Sequence, residues 1–210
     1  MILQSTISWP TRPPASFNFG DDKAIWVARL VGLPGDILEM KEGRLYSNGK
    51  LYPHQNLKHS YTVDTNMQLN KRKYEGFEYL ESQPGKYVFH ATREQISELK
   101  KNKAVDKITS NIMAPGVHEP TMFLNNRDNW GPIRVLRKGM RLPANTHNKE
   151  YYESTLKVHE GFEAEQSDTS FYMVQKDYYF LLGDNRHNAL DSRYFGLIPY
   201  SSLVGVMQVD

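Results

Sequence analysis

The chain has 210 residues, 39% of them hydrophobic and 12% aromatic, a formal net charge of +2 and no cysteine. That length accommodates one large domain or a domain with a sizeable insertion, and the aromatic share argues against disorder. The near-neutral charge gives no electrostatic case for a nucleic-acid partner and only a weak one for an anionic membrane surface, while the lack of cysteine excludes disulfides and thiolate metal sites.

No apolar run approaches the roughly 18–20 residues needed to span a bilayer. The opening Met1 to Pro10 is too short and polar for a signal peptide, so the sequence reads as a soluble chain. Residues 1–22 carry Pro10, Pro13 and Pro14 and read as an extended lead-in. Ala24 to Val31 is predicted as a strand, on the β-branched Ile25, Val27 and Val31. Gly32-Leu33-Pro34-Gly35-Asp36 is a turn, and Ile37 to Met40 resumes a strand. Asn48-Gly49 predicts a hairpin with a type I′ turn between Arg44–Ser47 and Lys50–Tyr52.

Thr92-Arg93-Glu94-Gln95 has the spacing of a capping box. It opens a short helix with Ile96 and Leu99 on one face, stopping near Asn102 to Ala104. Residues 110–132 read as loop with a short strand. Ile133–Leu136, Thr155–Val158, Phe171–Val174 and Tyr178–Leu182 are further strand candidates, with Tyr151–Glu153 left unassigned. The sum is a mainly-β chain with one short helix.

The densest concentration of chemistry is Gly183-Asp184-Asn185-Arg186-His187-Asn188-Ala189-Leu190-Asp191-Ser192-Arg193-Tyr194-Phe195-Gly196. Acids and arginines set beside core-forming runs are costly unless the charges pair or act on something. This segment, followed by Ile198-Pro199 and Val204-Gly205, resembles the C-terminal signature of type I signal peptidases, G-D-N-R-x-N-S-x-D-S-R. Trp26-Val27-Ala28-Arg29-Leu30-Val31-Gly32-Leu33-Pro34-Gly35-Asp36, with the later Asn48-Gly49, is similar to the family's K-R-x-V-G-x-P-G-D box. Asn126 to Ile133 and Asp177 to Phe180 resemble the long, insert-bearing bacterial members.

The resemblance implies a signal-peptidase-type β fold. Residues 1–53 and 176–210 would form the catalytic-type core, and 54–175 a β-rich insertion domain. It implies membrane-bound serine endopeptidases that remove signal peptides at the outer face of the cytoplasmic membrane. Their chemistry is a serine–lysine dyad, in which a buried lysine kept neutral by desolvation serves as general base. Carried over position by position, that lysine falls on Ala28 and its orienting serine on Ala189. A methyl group neither accepts a proton nor orients an amine.

The nucleophile box would lie before residue 24. Ser8-Trp9-Pro10-Thr11 is its nearest imitation, though Ser8 has no evident base partner. Lys23 reads as a solvated loop lysine and His187 as an exposed turn histidine. Truncation would remove anchor and nucleophile but leaves Ala28 and Ala189 unexplained. An engineered inactive form or a natural non-catalytic relative accounts for the alanines, and the natural relative explains both directly. The expectation is therefore a signal-peptidase-like chain without catalysis.

Gly183 and Asp184 are expected to form the exit from the preceding strand, with Asn185 and Asn188 bonding nearby backbone to hold the turn. Asp184, Arg186, Asp191 and Arg193 are expected to form a bidentate ion network around Ser192, with Arg29 joining through Asp184. It would survive as scaffold. Trp26, Val27 and Leu190 fall where the family lines its substrate pocket, and read equally as core. A free strand edge there would accept a signal peptide or other extended peptide by main-chain hydrogen bonds. The competing functions are a peptide-binding or chaperone-like module in export or surface assembly, and a structural partner of an active peptidase. No cofactor is implied. His54, His59, His118, His147 and His159 show no metal-ligand spacing, and no phosphate loop is present.

Overall fold

The computed structural model describes residues 2–6, 25–53, 56–69, 74, 78–119, 125–143, 149–162 and 171–207. The chain forms two compact units. The first comprises Met1–Tyr52, Ala114–Gly183 and Leu190–Asp210, and the second Pro53–Met113 with Asp184–Ala189. Residues 114–175, placed by sequence within the insertion span, thus pack in the first unit, and the 184–189 turn, placed by sequence in the core, packs in the second. The architecture is mainly β, as expected.

In the first unit, β1 (Ile2–Thr6) and β2 (Ile25–Gly32) pair antiparallel, with Leu3 opposite Ala28 and Gln4 opposite Val27. The hairpin β3 (Ile37–Lys41) and β4 (Arg44–Ser47) follows, then β5 (Lys50–Leu51). Asn48 and Gly49 have φ of 52° and 77°, the left-handed pair a type I′ turn requires.

Two short motifs in this region are joined by a bond the sequence does not display. Pro34-Gly35 forms a turn closed by Asp36 N–H to Leu33 O (3.0 Å), with Gly35 at φ 99°. Asp36 Oδ2 accepts from Leu33 N–H (2.8 Å), and its Oδ1 accepts from Asn48 Nδ2 (2.8 Å). Asn48 Oδ1 in turn accepts from Ile37 N–H (3.0 Å). The aspartate of the first turn and the asparagine of the second therefore hold each other's loops. At Gly32 the reason for glycine is space: a Cβ there would meet Leu38 Cδ1 at 2.6 Å and Val135 Cγ2 at 2.9 Å.

The second unit is a four-stranded antiparallel sheet. Its strands are β6 (His59–Thr65), β7 (Glu78–Gln83), β8 (Lys86–Ala91) and β9 (Val105–Ser110), in spatial order β7-β8-β6-β9. Helix α1 (Arg93–Leu99) opens on the expected capping box. Thr92 Oγ1 accepts from Gln95 N–H (3.2 Å) while Gln95 Oε1 accepts from Thr92 N–H (2.9 Å). Ile96 and Leu99 are its buried residues, packed with Val63, Tyr87 and Phe89.

The first unit continues with β10 (Trp130–Arg134), β11 (Arg141–Pro143), α2 (Lys149–Glu160), β12 (Phe171–Met173) and β13 (Tyr178–Leu182). It closes with α3 (Ser192–Phe195), β14 (Ile198–Pro199), a 3-10 turn over Tyr200–Ser202 and β15 (Leu203–Met207). Its five-stranded sheet runs β14-β13-β2-β1-β15, and a second sheet runs β10-β3-β4-β5. The main core gathers Leu38, Trp130, Ile133, Leu136, Phe180, Leu182 and Leu197.

Helix α2 corrects the sequence expectation. Thr155–Val158 was expected as a strand and lies in its second half. Tyr151, Tyr152, Thr155 and Leu156 are buried at 2%, 4%, 2% and 0% exposure. Their spacing is that of one helix face, which outweighs the β preference of Thr155 and Val158. The described residues thus hold three α-helices instead of one.

Helix α2 ends in a carboxylate clasp. Glu160 accepts from the Tyr172 hydroxyl (2.8 Å), the Tyr178 hydroxyl (2.9 Å), Gln175 N–H (3.0 Å) and Lys176 N–H (3.0 Å). Burial and then this carboxylate push the Tyr172 hydroxyl up to about 12. Beside it, burial and then Lys176 push His159 down from 6.5 to about 4, against the opposing pull of Glu160. The folded chain therefore favours neutral His159. That contribution is complete above the ordinary histidine value and is lost as pH falls from 6.5 toward 4. In thermal unfolding followed by circular dichroism, a His159→Phe variant should gain midpoint relative to the unaltered chain over this interval. A constant difference between the two would refute the assignment.

Candidate functional site

The segment after β13 is divided between the units: Gly183 and Leu190–Gly196 pack in the first, Asp184–Ala189 in the second.

In the first unit, Asp191 is the organising residue. It caps α3, accepting from Arg193 N–H (3.1 Å) and Nε (2.9 Å) at Oδ1, and from Gly183 N–H (3.0 Å) and Arg193 Nη2 (2.7 Å) at Oδ2. The two side chains are 0% and 1% exposed, so this is a buried bidentate pair. Burial alone would lower the Arg193 pKa. The adjacent Asp191 carboxylate, with smaller help from Tyr194 and Asp128, overrides it and raises the value. Ser192 Oγ accepts from Leu181 N–H (3.0 Å), where the pairing of β13 with β2 shifts register. The Asp-Ser-Arg triplet thus ties the start of α3 to the end of β13. Gly196 ends α3 at φ 84°, and a Cβ there would stand 2.7 Å from Thr155 Oγ1 on α2. Leu190 is half-buried.

Ala28 sits in β2 between two paired neighbours, β1 and β13. It is half-buried and packs with Leu30 and Leu203 against Leu181 and Ile198. Val27 is 50% exposed. Arg29 is half-buried and stands opposite Ile2 and Leu182. Trp26 pairs with Ser5 through its backbone; its side chain, Ser8 and Lys23 lie outside the described residues. β1 pairs with Ile25–Arg29 of this strand and β13 with Arg29–Gly32, so among the described residues the side of Ile25–Ala28 away from β1 carries no ladder.

In the second unit, the 184–189 turn is laced to β6 and its lead-in. Lys58 N–H donates to Asp184 O (2.9 Å), and Arg186 N–H donates to Lys58 O (2.8 Å). His187 is buried at 9% exposure, not exposed as expected, and its Nδ1 accepts from Ser60 N–H (3.0 Å). Its ring meets His59 edge-on at 5.4 Å. Arg186 is buried at 2% exposure and Ala189 is half-buried. Asn185 was expected to bond nearby backbone. Its amide instead spans 107 residues to Glu78 Oε2 (2.6 Å), and its Oδ1 meets His90 Nδ1 (3.1 Å). Glu78 also takes Lys58 Nζ (2.7 Å). That hydrogen bond outweighs burial and, with weaker pulls from the Lys58 charge, His90 and Asn188, lowers the carboxyl's pKa. Of the four-residue ion network expected, the pair Asp191–Arg193 is seen within one unit.

Sequence reasoning missed Glu78, Lys58, His90 and Ser60 because their partners are remote in the chain. The stretch from Asn126 to Ile133, which carries part of the resemblance, is a bonded loop leading into β10. Asn126 is fully buried, and its Nδ2 donates to Ala114 O (2.9 Å) and Val117 O (2.8 Å). Asn129 Oδ1 accepts from Glu42 N–H (3.0 Å), tying this loop to the β3–β4 turn. Among the described residues no group of three acids or histidines is placed to hold a metal ion, and no helix is long and apolar enough to cross a membrane.

The mainly-β fold matches what the sequence resemblance implied. A family model described as signal peptidase, peptidase S26 matches residues 7–210. The chain therefore belongs to the signal peptidase S26 family. Among curated proteins it is similar to signal peptidase I of Buchnera aphidicola subsp. Schizaphis graminum, 39% identical over 49 residues. That stretch is 23% of this chain and 16% of the relative. It is also similar to signal peptidase I of Buchnera aphidicola subsp. Baizongia pistaciae, 56% identical over 34 residues, 16% of this chain and 11% of the relative. The matched stretches thus span less than a fifth of either relative.

Proposed function

We propose that this chain is a signal peptidase-family protein that does not hydrolyse its peptide. The observation that carries the reading is the pair of alanines at the two positions where the resemblance puts the lysine base and its orienting serine, Ala28 and Ala189. Proton abstraction from a serine hydroxyl needs a neutral amine within hydrogen-bond reach. The methyl of Ala28, packed with apolar neighbours, supplies none. Arg29 and Arg193 cannot replace it, because a guanidinium stays protonated at any physiological pH. Asp184, Arg186, Asp191, Ser192 and Arg193 act in this reading as framework for the former site. The expected ligand is a signal peptide, met at the outer face of the cytoplasmic membrane where the family works.

A second reading, a peptide-binding module in export or surface assembly, draws support from the exposure of Val27 (50%) and Val204 (55%) in the five-stranded sheet. Among the described residues its outer strands are β14 and β15. A peptide added at β15 would gain main-chain bonds and apolar contact with Val204.

One experiment addresses both. A signal-peptide substrate labelled across its cleavage site is incubated with the unaltered chain and with Ala28→Lys/Ala189→Ser. The unaltered chain should give no cleavage above the buffer rate, and any turnover by it overturns the proposal. Titration of the same peptide tests the module reading. Saturable binding weakened by Val204→Asp supports it, and no binding removes it.

A further inference from the structure

Within the second unit, the bond between His187 and Ser60 has a property its neighbours lack. Ser60 N–H is a donor, so the His187 Nδ1 facing it at 3.0 Å carries a lone pair. The ring is therefore neutral with its proton on Nε2, and protonation would turn two N–H groups toward each other at a buried position. His90 behaves oppositely. Asn185 Nδ2 is committed to Glu78, so Oδ1 faces His90 Nδ1, which donates and keeps that bond on protonation. We propose that His187 is an acid-opened latch holding the 184–189 turn, and with it Ala189, against β6.

The titratable and charged groups on the turn and on the elements it bonds to set the direction. From β6 and its lead-in come Lys58 and His59; from β7, Glu78; from β8, His90; and from the turn itself, Asp184 and Arg186. His59 packs on His187 edge-on, so two protonated rings would repel across 5.4 Å. Lys58 is occupied by Glu78 at 2.7 Å, a hydrogen bond that lowers the pKa of the Glu78 carboxyl. Acidification therefore adds positive charge where a donor already points, while the Glu78–Asn185 bond remains. The turn should loosen at its His187 end and stay tethered at Asn185. This holds whether or not the family's chemistry survives in the chain.

The test is nuclear magnetic resonance on the full chain between pH 8 and 5. At pH 8 the His187 ring nitrogens should report the Nε2–H tautomer. As the ring titrates, Ser60 N–H should exchange with solvent roughly tenfold faster, the size of effect expected for one lost hydrogen bond. Amides of β8 should keep their protection. His187→Asn places an amide oxygen near the same spot without a titrating proton and should abolish the transition; His90→Gln should leave it intact. An Nδ1–H tautomer at pH 8, unchanged Ser60 exchange through the ring's titration, or an identical transition in His187→Asn would each overturn the latch. The tautomer reading uses the unaltered chain, so it decides the matter even where a variant does not fold.

Discussion

Arg193→Ala is expected to lower the stability of the chain by about 3–5 kcal/mol, the cost of stranding one member of a buried ion pair. Both side chains are essentially inaccessible, and Asp191 makes four bonds there, two to the guanidinium and two to backbone N–H groups. Removing Arg193 leaves the buried carboxylate with its two backbone donors and without the guanidinium. Lysine is not a substitute, since a point charge cannot span both oxygens of Asp191 as the planar fork does. Arg193→Met combined with Asp191→Leu should recover part of the loss, because the desolvation cost of both charges disappears with them. Urea unfolding measures each variant. A single-variant loss below about 1 kcal/mol would mean the pair is not isolated from solvent as drawn.

Trp130→Ala should cost a similar amount, about 3–5 kcal/mol, by a different route. Trp130, at the start of β10 and opposite Met40 of β3, is 2% exposed and lies at 5.2 Å from the ring of Phe180 in the main core. Its loss opens a cavity that fully buried Leu38, Ile133 and Phe180 cannot fill without leaving their own contacts. Trp130→Phe should retain more than half of the stability difference. Equal losses for alanine and phenylalanine in denaturant titration would show that ring volume is not what the site requires.

The two effects separate what is written locally from what is not. Thr92 and Gln95 closing α1, and Asn48-Gly49 turning a hairpin, involve residues three apart. Such bonds are legible because spacing alone decides them. The family resemblance rests on the same kind of signal: it depends on short, rigid turn chemistry, and the match over residues 7–210 agrees with it. Helix α2 was misread at Thr155–Val158 because its buried face is made of tyrosines and a threonine, which carry no strong helix preference. The face becomes visible only when Tyr151, Tyr152, Thr155 and Leu156 are seen to be buried together.

Sequence alone settled the residue chemistry: which turns are possible, which acids and arginines are present, and that methyl groups stand at positions 28 and 189. Tertiary structure decided the partners. It joined Asn185 to Glu78, Ser60 to His187 and Asp36 to Asn48, and assigned the two halves of one signature segment to different compact units. The reason is physical. Turns and caps follow from short-range sterics and hydrogen-bond spacing, whereas the partner of a polar side chain depends on which distant segment chain closure and burial bring beside it.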